Sequence, residues 1–147
     1  MLEAEQLIED GVQEMDIVMN VGRFKNHEFS YVIDELKQII ALAPESVLVK
    51  VIIELNCLDD SEIADACNIV IDSGADFLKT GTGWVPGDAN IGRIARIKEL
   101  TRGKVQVKAA GGIRTREEFD KLLSLGVERF GINLMSALSI VESFNQE

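Results

Sequence analysis

Histidine, cysteine and proline are scarce in this chain of 147 residues, which has one histidine, two cysteines and two prolines. With only His27, Cys57 and Cys67 to draw on, no zinc-type ligand cluster is available, and two cysteines are too few for a disulfide framework. His27 stands in the polar stretch Lys25-Asn26-His27-Glu28, which reads as a helix start, so the histidine is expected at the surface and serine-histidine-aspartate chemistry is hard to build. Basic residues are outnumbered. Lys+Arg 15 against Asp+Glu 25 leaves a net charge of −10, which opposes docking on nucleic acid or an anionic membrane. Long apolar runs are missing too: Val47 to Ile53 falls far short of the roughly 20 residues that cross a bilayer, and Met1 leads into Leu2-Glu3-Ala4-Glu5 with no basic leader region. A cytoplasmic protein without membrane or nucleic-acid partners is expected. Hydrophobic residues at 46% and charged residues at 27% exclude wholesale disorder and a fibrous repeat, and the length fits one domain over residues 1–147 with a substantial core.

Short apolar runs alternate with helix-period segments from end to end, the pattern of parallel strands linked by crossover helices. Strands are predicted near Met15 to Val21, Val47 to Glu54, Phe77 to Thr80, Val105 to Ala109 and Arg129 to Ile132. Helices are predicted over roughly Glu28 to Ala43, Ser61 to Ser73, Ala89 to Thr101, Arg116 to Ser124 and Leu134 to Phe144. Asp60 and Asp88 read as caps, and Thr115-Arg116-Glu117-Glu118 fits a capping box. Gly11-Val12, Gly74-Ala75 and Gly126-Val127 each close a helix shortly before a strand, a recurrence that marks a βα array.

Parallel strands are covered on both faces, so ionisable side chains within them need a reason. Asp16, Lys50, Lys79 and Lys108 all sit in such runs. Alternation puts Lys108 with Gln106 on one face and sets Asp16 against Met15 and Ile17, so the polar face is read as an interior. Lys79 and Lys108 are one βα unit apart, which places them on neighbouring strands near the carboxyl ends. Two ammonium groups held close in a buried site lower the pKa of one of them, and a neutral amine attacks aldehydes. Two readings stand side by side. In one, the lysines do Schiff-base chemistry with Asp16 moving protons; in the other, they snorkel or form structural ion pairs with Asp16, Glu54 or Asp76. Each lysine-bearing strand is followed by glycines, in Thr80-Gly81-Thr82-Gly83-Trp84 and in Ala109-Ala110-Gly111-Gly112-Ile113-Arg114, where backbone N–H groups can approach an anion and Arg114 can complete a phosphate clamp. Neither segment is a nucleotide-binding fingerprint.

Four ordered blocks resemble the deoxyribose-phosphate aldolases, class I Schiff-base aldolases on a (βα)8 barrel. They are Glu14-Met15-Asp16-Ile17-Val18, Val49-Lys50-Val51-Ile52-Ile53-Glu54, Gly74-Ala75-Asp76-Phe77-Leu78-Lys79-Thr80-Gly81-Thr82-Gly83 and Lys108-Ala109-Ala110-Gly111-Gly112-Ile113-Arg114-Thr115. The resemblance implies that Lys79 forms the Schiff base, Lys108 perturbs its pKa and Asp16 relays protons. It further implies that Lys50, in the polar interior, is one of the substrate-binding residues, with Thr82, Gly83, Gly111, Gly112, Arg114, Gly131 and Asn133 around a sugar phosphate. The implied reaction is reversible cleavage of 2-deoxyribose 5-phosphate to acetaldehyde and glyceraldehyde 3-phosphate, without metal or organic cofactor. This chain departs from the pattern at Trp84, where many members carry lysine, and at Gly131-Ile132-Asn133-Leu134, where they carry Gly-Ala-Ser-Ser. At about 1.5–3 kcal/mol per charged hydrogen bond, those changes weaken phosphate binding by a few kcal/mol.

The chain begins in what resembles the helix before the fourth barrel strand. The expected fold is therefore α/β, a partial (βα)8 TIM barrel of five βα units resembling strands 4 to 8, completed by homo-oligomerisation at its edges. Two alternatives accompany the aldolase reading. One is a non-catalytic partial-barrel module that binds phosphorylated metabolites or a partner chain, and the other is an aldolase preferring unphosphorylated aldehydes, suggested by Trp84, Asn133 and Leu134.

Overall fold

A computed structural model describes residues 1–145. Five parallel strands, β1 (Glu14–Val18), β2 (Leu48–Ile52), β3 (Phe77–Lys79), β4 (Gln106–Ala110) and β5 (Arg129–Gly131), lie side by side in chain order. Helices α1 (Leu2–Glu9), α2 (Val21–Lys25), α3 (Phe29–Ile40), α4 (Ile63–Ser73), α5 (Ile91–Thr101), α6 (Arg116–Ser124) and α7 (Leu134–Phe144) precede, link and follow them.

The predicted βα array is present, with differences at the element ends. The first strand stops at Val18 because the Asn20 side chain accepts the Arg23 N–H and starts α2, a helix the strand prediction had overrun. The second stops at Ile52, and Glu54 then turns into a left-handed conformation ahead of a 3₁₀ turn at Leu55–Cys57. Asp60 and Asp88 do not cap. Glu62 occupies the cap position of α4 while Asp60 meets Arg93 Nε at 2.8 Å, and Asn90 caps α5 while Asp88 turns toward Arg114. The capping box at Thr115 and Glu118 is formed, and Gly74 and Gly126 take the left-handed backbone predicted after helix ends. His27 also takes left-handed backbone, immediately before α3.

Register separates the two faces. Asp16, Lys50, Phe77 and Gln106 align in one row, and Val18, Ile52, Lys79, Lys108 and Arg129 align in the next row toward the carboxyl ends, all on one side. Val51, Leu78, Val107 and Ala109 point the other way, into one core with Leu36, Ile63, Val70, Ile94, Ile97 and Leu122. Each such aliphatic side chain contributes about 1.5–3 kcal/mol by leaving water, so this helix-covered face holds the sheet and frees the other for polar groups. Carboxylates tie the strand starts: Asp76 accepts the Val49 N–H and Glu128 the Val107 N–H, each at 2.8 Å.

The sheet is curled. Five flat strands would separate β1 from β5 by roughly 19 Å, more than an extended arginine and glutamate together reach, at roughly 11 Å. Yet Arg129 Nη1 on β5 donates to both carboxylate oxygens of Glu14 on β1 at 2.6 Å, so the polar face is concave. On the outside of α7, Leu134, Met135, Leu138 and Val141 are exposed. Among the described residues no helix is long and apolar enough to cross a membrane.

Candidate active site

All five strands supply an ion network to the concave face. Asp16 sits at its centre: Oδ2 accepts from Lys79 Nζ at 2.7 Å and lies 3.9 Å from Lys108 Nζ, while Oδ1 accepts from Lys50 Nζ at 3.0 Å. Glu14 Oε2 takes Lys50 Nζ from the other side at 2.7 Å. Arg129, already bonded to Glu14, stacks its guanidinium over the Phe77 ring with 4.6 Å to the centroid. Of the carboxylates considered as lysine partners, Asp16 alone serves. Asp76 is engaged at the opposite end of the sheet, and the Glu54 carboxylate accepts the Thr82 N–H and, in a short bond, the Thr82 hydroxyl.

Exposure grades the three lysines. Lys50 is 2% exposed, Lys79 13% and Lys108 21%, so access to solvent increases toward the carboxyl ends. Burial pushes the Lys108 ammonium below the ordinary lysine range; Asp16 works against that shift, and the Lys79 and Lys50 charges add to it. For Asp16, burial raises the carboxyl, but hydrogen bonds from Lys79 and Lys50 outweigh it and hold the group below the usual range. Hydrogen bonds from Arg129 and then Lys50 lower Glu14 to about 2.

A cavity of about 480 Å³ opens over Lys79 and Lys108, between the loops that follow β3, β4 and β5. Of the predicted site residues, Lys79, Thr82, Gly83, Lys108, Gly111, Gly112, Arg114, Gly131 and Asn133 line it. Asp16 and Lys50 do not. Lys50 is sealed beneath with both its carboxylate partners, too buried to meet a substrate in this arrangement, which corrects its placement among the binding residues. Thr82 and Asn133 line the cavity with side chains already engaged, Thr82 on Glu54 and Asn133 accepting the Ser136 N–H at the start of α7. Gly112 is a point of close backbone approach. At φ +77° its backbone lies under the loop from β3, and an added Cβ would stand 2.4 Å from Ala89 N and Asp88 C.

Glu14 and Arg129 were missed from the sequence, and Glu54, considered there as a lysine partner, holds a loop instead. Parity alone could have found the first two: Glu14 is two residues before Asp16, and Arg129 opens the strand next to the one carrying Lys108. Glu54, 6% exposed in left-handed backbone, anchors the loop that carries Thr82, and its carboxylate fills the space a Cβ at Gly81 would need. No group of histidine, cysteine, aspartate or glutamate among the described residues is arranged to hold a metal ion.

Fold and site together define a parallel βα protein with an amine-rich centre at the carboxyl ends of its strands, chemically suited to carbonyl substrates. Comparison with known proteins agrees. The family model of the DeoC/LacD family aldolases matches residues 1–133, and the chain belongs to that family. It is 46% identical over 140 residues to the deoxyribose-phosphate aldolase of Sinorhizobium medicae (strain WSM419), covering 95% of this chain and 56% of that protein. It is 40% identical over 142 residues to that of Aquifex aeolicus (strain VF5), covering 97% and 64%. Among solved structures, the aldolase QR15 superposes with a TM-score of 0.88 at 39% identity, over 99% of this chain and 64% of that one. A tetrameric deoxyribose phosphate aldolase from Aeropyrum pernix gives 0.83 at 29%, over 98% and 60%. The chain thus spans somewhat more than half the length of the relatives it matches.

Proposed function

We propose that this chain carries a class I aldolase site that reversibly cleaves 2-deoxyribose 5-phosphate into acetaldehyde and glyceraldehyde 3-phosphate. The observation that carries the reading is Lys79 at the floor of the cavity, hydrogen-bonded to Asp16 and beside Lys108 on the next strand. In the synthetic direction the neutral Lys79 amine adds to the acetaldehyde carbonyl, and water leaves to give an iminium. Loss of an α-proton gives an enamine, whose carbon attacks the acceptor aldehyde, and water then releases the product and the free amine. Asp16 takes and returns protons, and Lys108 stands beside Lys79 on the next strand, facing the same cavity. The backbone of Gly83, Gly111, Gly112 and Gly131, with Arg114, receives the far end of the substrate. The aldolase names of relatives that cover nearly all of this chain support the assignment.

We further infer that residues 1–147 are one domain, corresponding to strands 4 to 8 of an eight-stranded barrel. The curl of the sheet and the exposed apolar side of α7 support a homo-oligomer that covers edges β1 and β5. Light scattering decides that part, with a mass above 16.2 kDa expected and a folded monomer overturning it. The chemistry is tested by borohydride reduction in the presence of acetaldehyde, followed by peptide mapping. An ethyl group on Lys79, absent after Lys79→Ala, is expected. A folded protein that gives no adduct, or aldol cleavage that survives Lys79→Ala, overturns the reading.

A further inference from the structure

We infer that Asp88 is a specificity-determining residue that holds Arg114 as its own counter-ion, penalises a phosphate at the outer end of the cavity and lets unphosphorylated hydroxyaldehydes compete as acceptors. The inference rests on the aldolase reading for its substrates, and its electrostatic basis stands on the ion pairs themselves. Three cations line the cavity. Lys79 and Lys108 lie at its floor around Asp16, so Arg114 is the remaining one at the outer end. Its Nη1 is bonded to Asp88 Oδ1 at 2.9 Å and also donates to the Gly112 carbonyl at 3.4 Å.

Asp88 is brought there by the chain path, because the Asp88-Ala89 backbone lies directly against Gly112 and its carboxylate needs no long reach. Two of the backbone donors nearby are also spent: Glu118 Oε2 accepts the N–H groups of Arg114 and Thr115 at 2.8 and 2.9 Å. Asn133, whose Oδ1 accepts the Ser136 N–H, and Trp84, 90% exposed beside Gly83, bring no charge. Beside the glycine backbone, an arriving phosphate dianion therefore meets one guanidinium that is already paired and two carboxylates, Asp88 and Glu118. A neutral hydroxyaldehyde loses nothing by that arrangement. A single carboxylate about 6 Å from a dianion in water-like surroundings weakens its binding about tenfold, and salt reduces the effect.

The test titrates inorganic phosphate by calorimetry into the wild-type chain, Asp88→Asn, Asp88→Glu and the Asp88→Asn/Arg114→Gln double variant, at low and at high salt. Asp88→Asn is expected to bind phosphate about tenfold more tightly than wild type at low salt, Asp88→Glu to resemble wild type, and the double variant to lose the gain. The ratio of kcat/KM for glyceraldehyde 3-phosphate to that for glyceraldehyde should rise by the same factor in Asp88→Asn. Equal phosphate affinity in wild type and Asp88→Asn, or a gain that survives loss of Arg114, overturns the inference. A chain that turns over neither acceptor and gives no Lys79 adduct overturns the aldolase reading instead, while the phosphate titration still decides the role of Asp88.

Discussion

Replacing Asp16 by asparagine removes the one anion shared by three lysines while leaving side-chain volume almost unchanged. Two charge-assisted hydrogen bonds end on its carboxylate, from Lys79 at 2.7 Å and Lys50 at 3.0 Å. Each is worth about 1.5–3 kcal/mol, but Lys50 keeps Glu14 at 2.7 Å and the asparagine carbonyl can still accept one bond, so a net cost of about 3 kcal/mol is expected. For a domain of this size that lowers Tm by about 10 °C, readable by circular dichroism. Titration moves as well. Asp16 holds Lys108 up against burial, so Lys108 in Asp16→Asn should titrate still further below its ordinary value, readable by NMR of the labelled side-chain methylene. The folded state then carries fewer protons on Lys108 than the unfolded chain between the lowered folded value and the ordinary 10.5. Stability accordingly rises with pH across that window, and Asp16→Asn should widen it. An unchanged Tm together with an unmoved Lys108 titration would show that Asp16 is not the electrostatic centre of the network.

The acid limb of stability should belong in part to Glu14. Its folded value of about 2 lies below the ordinary 4.5, so its contribution is complete above about 4.5 and fades as pH falls toward 2; Arg129→Gln should flatten that loss in a pH series of denaturant melts. Gly112→Ala forces a Cβ to 2.4 Å from the Asp88-Ala89 backbone at a positive φ, so a loss of about 2–4 kcal/mol and faster proteolysis of the 84–90 loop are expected. A thiol reagent should modify Cys57 quickly in the native protein and leave Cys67 until unfolding. Cys57 is exposed, whereas burial pushes the Cys67 thiol up to about 12.

Much of the site was legible because strand alternation is a strict rule. Asp16, Lys50, Lys79 and Lys108 interrupt apolar runs at positions of one parity, and the register puts all four on the concave face. The glycine segments after β3 and β4 were equally readable, because a chain leaving a buried strand for a helix needs tight turns there. Partners were less legible. A lysine in a strand announces that it needs a counter-charge, but Asp16, Glu54 and Asp76 were equal candidates until the strand ends were placed in space. Asp60 and Asp88 passed as caps because both precede helical periodicity, yet Arg93 and Arg114 claimed them across the fold.

Local chemistry was therefore settled by the order of residues: parallel strands from apolar runs, helices from periodicity and the Thr115 capping box, and an inward row of lysines from parity. Those features depend on neighbours within a few positions along the chain. Which charges pair depended on curvature. Only a curled sheet lets Arg129 reach Glu14 across five strands, leaves Lys50 sealed between two carboxylates and keeps Lys79 and Lys108 open to the cavity. Electrostatic energy falls with distance through space, and residues far apart in sequence become near neighbours only when the chain is folded.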